Sequence, residues 1–420
     1  QPILNIPSPG GYIVELIAIT SFGCTDTSSA NFTLSSKPTI SFAATPTSGC
    51  PPLQTVFKII NAQQGLNYGW VFLSLLLFIF AIDLLTVAIG KINSGLALEI
   101  LQATKNPFIS LFIGLLVTAL IQSSSTVTAS LVAIVASGNL TLQQAVPIVL
   151  GANIGTTLTS TLVSLSYLMD KKEFRRALSA GISHDFFNML TVILLFPLEI
   201  YFGFLSNTAS YIANWFASDN SFEGPIVYNR MFTRTWTEWV VTQINQPVVS
   251  MILSVILVFF AIKVLSTAMY KSFIKNTFQD INKVIFQKTG LAFFYGLFFT
   301  AAVQSSTVTT SLVVPLVASK KVTLAKVFPF IIGANIGTTM TAVIASIYKP
   351  EAAIALALVH VLFNSLGALI FLPIASIRNI PVWLSNYMGK MSVKYRVVGF
   401  AYILLTFFII PFLLIYFTKN

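Results

Sequence analysis

Three stretches of about twenty residues, 71–89, 248–268 and 397–417, carry almost no polar side chain. A run of that length spans roughly 30 Å of hydrocarbon when helical. In lipid every backbone N–H and C=O must be satisfied within the segment, so such runs have to be helices. The composition agrees. Of 420 residues, 55% are hydrophobic and 9% are charged, and mean hydropathy is +0.83. A water-soluble domain carries about 25% charged residues. Soluble and disordered classes are therefore excluded, and the chain reads as an all-α polytopic membrane protein. The net charge of +11 falls in short loops. There it marks positive-inside bias rather than a nucleic-acid surface.

An internal duplication organises the apolar part. "GLLVTALIQSSSTVT" at 114–128 recurs as "GLFFTAAVQSSTVTT" at 296–310, and "GANIGTTLT" at 151–159 recurs as "GANIGTTMT" at 333–341. "HDFFN" at 184–188 matches "HVLFN" at 360–364, and "FAIDLL" at 80–85 matches "FAIKVL" at 260–265. Four landmarks recur in one order at offsets of 176 to 182, which chance does not produce. Each unit should hold a first helix, an amphipathic stretch, an apolar segment broken by Gln-Ser-Ser, a Gly-Ala-Asn helix and a His-x-x-Phe-Asn helix. We expect transport repeats at 66–205 and 247–375, a polar inter-repeat loop at 206–246, and at 376–420 a loop followed by one unpaired helix. The repeats are expected to have inverted topology, each with a broken-helix or re-entrant hairpin at Gln-Ser-Ser.

Residues 1–65 belong to a different solvent. They are rich in Ser, Thr and Pro, and Gly-Gly and Gly-Cys pairs punctuate short alternating runs. That pattern predicts a short β-rich segment. Cys24 and Cys50 are the only cysteines, and a bridge between them is one option in an oxidising compartment.

The chemistry lies in uncharged polarity. Polar groups at membrane depth are costly unless they line a cavity or bind something. Gln122, Ser123, Ser124 and Ser125 interrupt one apolar segment, and Gln304, Ser305 and Ser306 interrupt its repeat. A helix broken there frees backbone N–H groups that favour an anion, while hydroxyls and carbonyls suit Na⁺. Serine and threonine also serve helix packing, but matched interruptions in two halves point to a transport site. Asn153 and Asn335 add amides, and Thr338 and Thr341 add hydroxyls.

A few charged groups stand out. Asp83 and Lys263 occupy equivalent positions, and either bridge each other or snorkel separately. His184 and His360 are the only histidines. They suit helix-packing hydrogen bonds better than metal ligation. Asp185 is an acid inside an apolar helix, with Asn188 one turn on, and is a functional candidate for that reason. The basic loop 171–176, with Lys271, Lys275, Lys283 and Lys288, is expected on the cytoplasmic side. No enzyme signature is present, so no catalytic residue and no transition-metal site are expected.

The residues after about 68 resemble the type II sodium–phosphate cotransporters and their bacterial relatives. The likeness rests on "QSSST" at 122–126, "QSST" at 304–307, both "GANIGTT" runs and "DKKEFRRALSAGISHDFFN" at 170–188. It implies a Na⁺-driven symporter of inorganic phosphate in the cell membrane, with Na⁺ as cargo and no cofactor. The two Gln-Ser-Ser hairpins, with Asn153 and Asn335, would hold phosphate. By the same resemblance Gln304, Ser305, Ser306, Thr338 and Thr341 form one sodium set, and Thr161, Asp170, Asp185 and Asn188 another. An acid at Asp185 implies electrogenic transport. The first segment resembles fragments of PKD-type repeats and is expected to play no part in transport. The end at Asn420, without a PhoU-like domain, favours uptake. Two alternatives stand beside this reading: transport of another small anion on the same scaffold, and a membrane-anchored adhesion module.

Overall fold

The structure is a computed structural model. It describes strands within residues 3–61 and the helical chain 64–418, apart from 92–101, 103, 219–232, 270–284 and 348. Cys24, Cys50, Lys271, Lys275, Lys283 and most of the two amphipathic stretches lie outside the described residues. The chain forms two units, Gln1–Leu73 and Ser74–Asn420.

In the first unit β1 (Ile3–Leu4) pairs with β4 (Ile40–Ser41). Strands β2 (Gly10–Thr20), β3 (Thr25–Leu34) and β5 (Leu53–Asn61) form one antiparallel sheet in the order β3-β2-β5. The register sets Tyr12 opposite both Phe32 and Asn61. The stretch after Cys50 thus supplies an edge strand, β5, to the sheet that β2 and β3 begin.

The helical unit is all-α. Helix α1 (Gln64–Gly90) leads into it. Then come α2 (Pro107–Ile121), α3 (Ser124–Ala136), α4 (Leu142–Gly155) and α5 (Leu158–Ser164). The long α6 (Lys171–Phe202), α7 (Phe204–Ser218) and α8 (Arg234–Ile244) complete the first half. The second half holds α9 (Pro247–Met269), α10 (Thr289–Val303), α11 (Ser306–Ala318), α12 (Leu324–Thr338), α13 (Met340–Ser346) and α14 (Glu351–Phe371). It ends with α15 (Ala375–Lys394), α16 (Arg396–Leu404), a π turn (Leu405–Ile409) and α17 (Ile410–Thr418). Among the described residues seven helical segments are long and apolar enough to cross a membrane, and four shorter apolar helices form the two broken pairs.

Local chemistry sets the helix starts. Asn106 caps α2, accepting from Phe108 N at 3.0 Å, with Pro107 at the first position, where a missing N–H costs nothing. Thr141 and Gln144 form a capping box on α4, which satisfies two orphan donors at once. Segments 206–246 and 376–394, read as loops, hold α7, α8 and α15. Their mixed polarity reflects two-sided helices; α15, for instance, buries Val382, Ser385, Gly389 and Ser392 along one face.

The duplication is visible in the packing. A Cβ on Gly114 would stand 2.0 Å from Ile148 O, and one on Gly151 would stand 1.8 Å from Leu111 O. In the second half, a Cβ on Gly296 would stand 2.0 Å from Phe330 O and one on Gly333 would stand 2.0 Å from Phe293 O. Both approaches of the first half thus recur in the second at the sequence offset of 182. Helices approach this closely in a membrane only where both faces are small. The closing helices cross over. Helix α14 packs into the apolar cluster of the first half through Leu356, Val359 and Phe363. Phe187 of α6 joins the cluster of the second half with Phe328 and Phe330.

Candidate transport site

Each hairpin breaks at one residue. Gln122 and Gln304 adopt left-handed backbone, with φ of 57° and 55°. Residues other than glycine rarely do so, and such positions cluster at functional sites. The next serine then caps a new helix. Ser123 Oγ accepts from Thr126 N at 3.2 Å, and Ser305 Oγ accepts from Val308 N at 3.4 Å. Two helix N-termini, which carry partial positive charge, thus begin inside the apolar unit. The turns meet: Ser125 Oγ donates to Gln304 O at 3.2 Å. Ser124, Ser125, Gln304 and Ser306 are buried.

An amide–imidazole network lies across the two halves. Asn188 donates from Nδ2 to Asn153 O at 2.7 Å, and Asn335 donates from Nδ2 to Asn188 Oδ1 at 2.6 Å. His184 Nε2 hydrogen-bonds Asn335 Oδ1, and His360 Nε2 hydrogen-bonds Asn153 Oδ1 at 3.2 Å. Asn364 Nδ2 also donates to Asn153 Oδ1, at 3.1 Å. Each histidine of one half thus bonds the Gly-Ala-Asn asparagine of the other. Asn335 spends its whole amide on bonds to α6, Asn153 turns Nδ2 back onto Val149 O of its own helix at 2.8 Å and offers Oδ1 to α14, and both histidines make the packing bonds expected of them.

The sodium candidates divide. Gln304 Oε1 and Thr341 Oγ1 are buried oxygens without a hydrogen-bond partner among the described residues. Buried polar atoms in that state call for a water or an ion, and oxygens are what a hard cation takes. Thr338 Oγ1 instead donates to Ala334 O at 3.2 Å. Thr161 Oγ1 donates to Asp185 Oδ2 at 3.3 Å, while Asn188 belongs to the amide network. Asp170 stands apart. It is the exposed N-cap of α6, accepting from Lys172 N at 2.7 Å and Glu173 N at 2.8 Å. Those backbone bonds hold its carboxyl below the usual carboxylate range. It is fifteen residues, roughly 22 Å of helix, from Asp185, so the structure does not bring the second sodium set together as one site.

The pairing of Asp83 with Lys263 is not formed. Asp83 is fully buried and meets Arg234 Nη2 at 2.7 Å and Lys349 Nζ at 3.2 Å. Thr233 and Thr237 donate to its Oδ2 at 3.0 and 2.9 Å. Lys263 is exposed. The reason is geometric: α8 and the turn before α14 bring cations to α1, so Asp83 needs none from the equivalent helix. Sequence reading missed Arg234, Lys349 and also Tyr402, whose hydroxyl donates to Asp185 Oδ2 at 2.9 Å. A cavity of about 380 Å³ borders α3 and is lined by Ile113, Val117, Thr126, Leu131 and Val255 among others. Its walls are almost wholly apolar and offer no donor set to an anion.

Comparison with known proteins agrees with this arrangement. The protein is 29% identical over 454 residues to sodium-dependent phosphate transport protein 2B of Pongo abelii, covering 84% of this chain and 66% of that protein. The Homo sapiens 2B protein gives the same identity and coverage. Sodium-dependent phosphate transport protein 2A of Rattus norvegicus is 28% identical over 418 residues, covering 80% of this chain and 65% of that protein. The alignments thus take in just under two thirds of the length of these relatives. No solved structure matches. The Na⁺/Pi-cotransporter pattern fits residues 77–210 and 257–389, one stretch in each half. The chain therefore belongs to the Na⁺/Pi-cotransporter family.

Proposed function

We propose that the protein is a multi-pass symporter of the cell membrane that couples inorganic phosphate to Na⁺, electrogenically, by alternating access. The observation that carries this reading is the meeting of the two Gln-Ser-Ser turns, Ser125 Oγ on Gln304 O. Helix N-termini beginning at membrane depth in both halves are the usual pointer to an anion site in a secondary transporter. Gln122, Ser123, Ser124, Ser125, Ser305 and Ser306 border the phosphate. Gln304 Oε1 and Thr341 Oγ1 are oxygens that Na⁺ would satisfy. Asp185, with Thr161, is the acid through which Na⁺ entry moves net charge. Family membership and the sodium-dependent phosphate transport named for the relatives support the same substrates. Inverted repeats in which α6 and α14 each pack into the opposite half make the two halves one coupled device.

The test is uptake of labelled phosphate into proteoliposomes with an inward Na⁺ gradient. Na⁺-dependent accumulation is expected, and K⁺ should not replace Na⁺. Active protein without Na⁺-dependent phosphate flux would refute the proposal; flux of a competing oxyanion instead would favour the other anion reading. Asp185→Asn should lower the charge moved per phosphate in the same vesicles under voltage clamp. An unchanged ratio would remove Asp185 from the coupling.

A further inference from the structure

The final helix lies outside both repeats and beyond residue 389, where the family match ends. Its flanks are largely exposed: Val397, Leu404, Phe412 and Phe417 all face outward. Ile403 and Phe407 are buried on its inner face, and one polar side chain there reaches an acid of the first half. Tyr402 donates its hydroxyl to Asp185 Oδ2 at 2.9 Å, the same oxygen that Thr161 Oγ1 reaches at 3.3 Å. Both hydroxyls converge on Oδ2, the one from Tyr402 at the shorter distance and the one from Thr161 shared with Thr157 O at 3.3 Å. The other oxygen, Oδ1, is buried and has no hydrogen-bond partner among the described residues. The ring is steered from two sides, by Phe186 at 6.3 Å and by Phe407 at 6.4 Å edge-on. Phe407 sits in the π turn Leu405–Ile409, which begins three residues after Tyr402. Such π turns are rare and recur at functional sites.

A carboxylate rotates about a soft torsion, because terminal sp³–sp² angles are broad. Two donors on one oxygen fix that plane and direct the other oxygen. We propose that Tyr402 is a positioning residue: from the unpaired final helix it holds Asp185 so that Oδ1 is presented to Na⁺. This rests on the reading of Asp185 as part of the cation path. It assigns the last helix a role in ion binding that the duplicated scaffold alone does not supply. Removing an outer-shell partner of an ion ligand typically costs 10–100-fold in affinity.

The experiment is a thermal-shift titration of the full chain in detergent, with NaCl against KCl at matched ionic strength. Ligand that binds the folded state alone raises stability by RT ln(1 + c/Kd) at free Na⁺ concentration c, so the rise of the melting temperature with Na⁺ reports affinity without any transport. Tyr402→Phe keeps the ring and loses only the hydroxyl. It should raise the Na⁺ Kd fitted to the titration about tenfold, so that the same melting shift needs about ten times the Na⁺, and should add nothing when Asp185→Asn is already present. Thr161→Val, which removes the other donor, should act in the same direction, and it carries the test where Tyr402→Phe does not fold. A purely structural hydroxyl would lower the melting temperature without Na⁺ and leave the fitted Na⁺ Kd unchanged. That outcome overturns the inference, as does an equal effect in the Asp185→Asn background or the absence of any Na⁺-specific shift in the parent protein. Labelled-phosphate uptake by the same preparation separates the two claims. A Na⁺ shift that depends on Tyr402, without phosphate flux, would sink the proposed substrate and keep the positioning role.

Discussion

Gly151→Ala is expected to abolish most of the folded protein, and Gly333→Ala to do the same through the other half. The added methyl at residue 151 would lie 1.8 Å from Leu111 O, and that at residue 333 would lie 2.0 Å from Phe293 O. Both obstacles are backbone carbonyls in the middle of a facing helix, so no side-chain rotation relieves them. The helices have to separate. Separation breaks the reciprocal contacts at Gly114 and Gly296 and loosens the apolar clusters on both sides. Overpacking a core usually costs about 1–3 kcal/mol, and a backbone overlap this deep belongs at or above the top of that range. The internal control is Gly290. It is exposed in the first turn of α10, with nothing within 4 Å of an added Cβ. Gly290→Ala should be neutral or stabilise by up to about 1 kcal/mol through helix propensity. Thermal unfolding followed by size-exclusion chromatography in detergent checks all three. Equal melting temperatures for Gly151→Ala and Gly290→Ala would refute the close-packing account.

The same glycines show what a sequence of this kind reveals. Repetition at an offset of 182 exposed both the crossing glycines and the broken hairpins, because polar turns contrast sharply with their apolar flanks. The break after Gly155 was not legible. Thr156 and Thr157 turn their hydroxyls back onto Ala152 O and Ile154 O, which hides their polarity inside a helical pattern. Helices α7 and α15 read as loops because a helix with one polar face lacks the continuous apolar run that marks a span. Asp185 announced itself as an acid in an apolar helix, but its most distant partner did not: Tyr402 is 217 residues away and looks like one more interfacial aromatic. Asp170 was the opposite case. Motif likeness grouped it with Asp185, while its local sequence, an acid before Lys-Lys-Glu, spelled a helix cap. Pairwise chemistry between distant segments is what periodicity and spacing do not encode.

Asp83 carries the second large effect. Its carboxylate serves Arg234 at 2.7 Å, Lys349 at 3.2 Å and the hydroxyls of Thr233 and Thr237. These partners come from segments 150 to 266 residues away in the chain. The group thus ties α1 to the inter-repeat helix α8 and to the turn that begins α14. Asp83→Asn keeps the shape and most hydrogen bonds but withdraws the negative charge from two buried cations. Breaking a buried pair by removing one partner costs about 3–5 kcal/mol, because a buried charge is left without its counter-ion. Lys349→Met should cost distinctly less. It removes one cation, keeps Asp83 with Arg234, and fills the space with a flexible apolar chain; Thr86 Oγ1 loses its 3.1 Å bond from Lys349 Nζ. The order of melting temperatures should be parent, then Lys349→Met, then Asp83→Asn. Because the group is buried, the gap should persist in high salt, where an exposed pair would be screened. Asp83→Asn and Lys349→Met combined should be more stable than the sum of the single losses, since they share one interaction. Simple additivity, or a milder loss for Asp83→Asn than for Lys349→Met, would show that Asp83 is not the centre of this cluster.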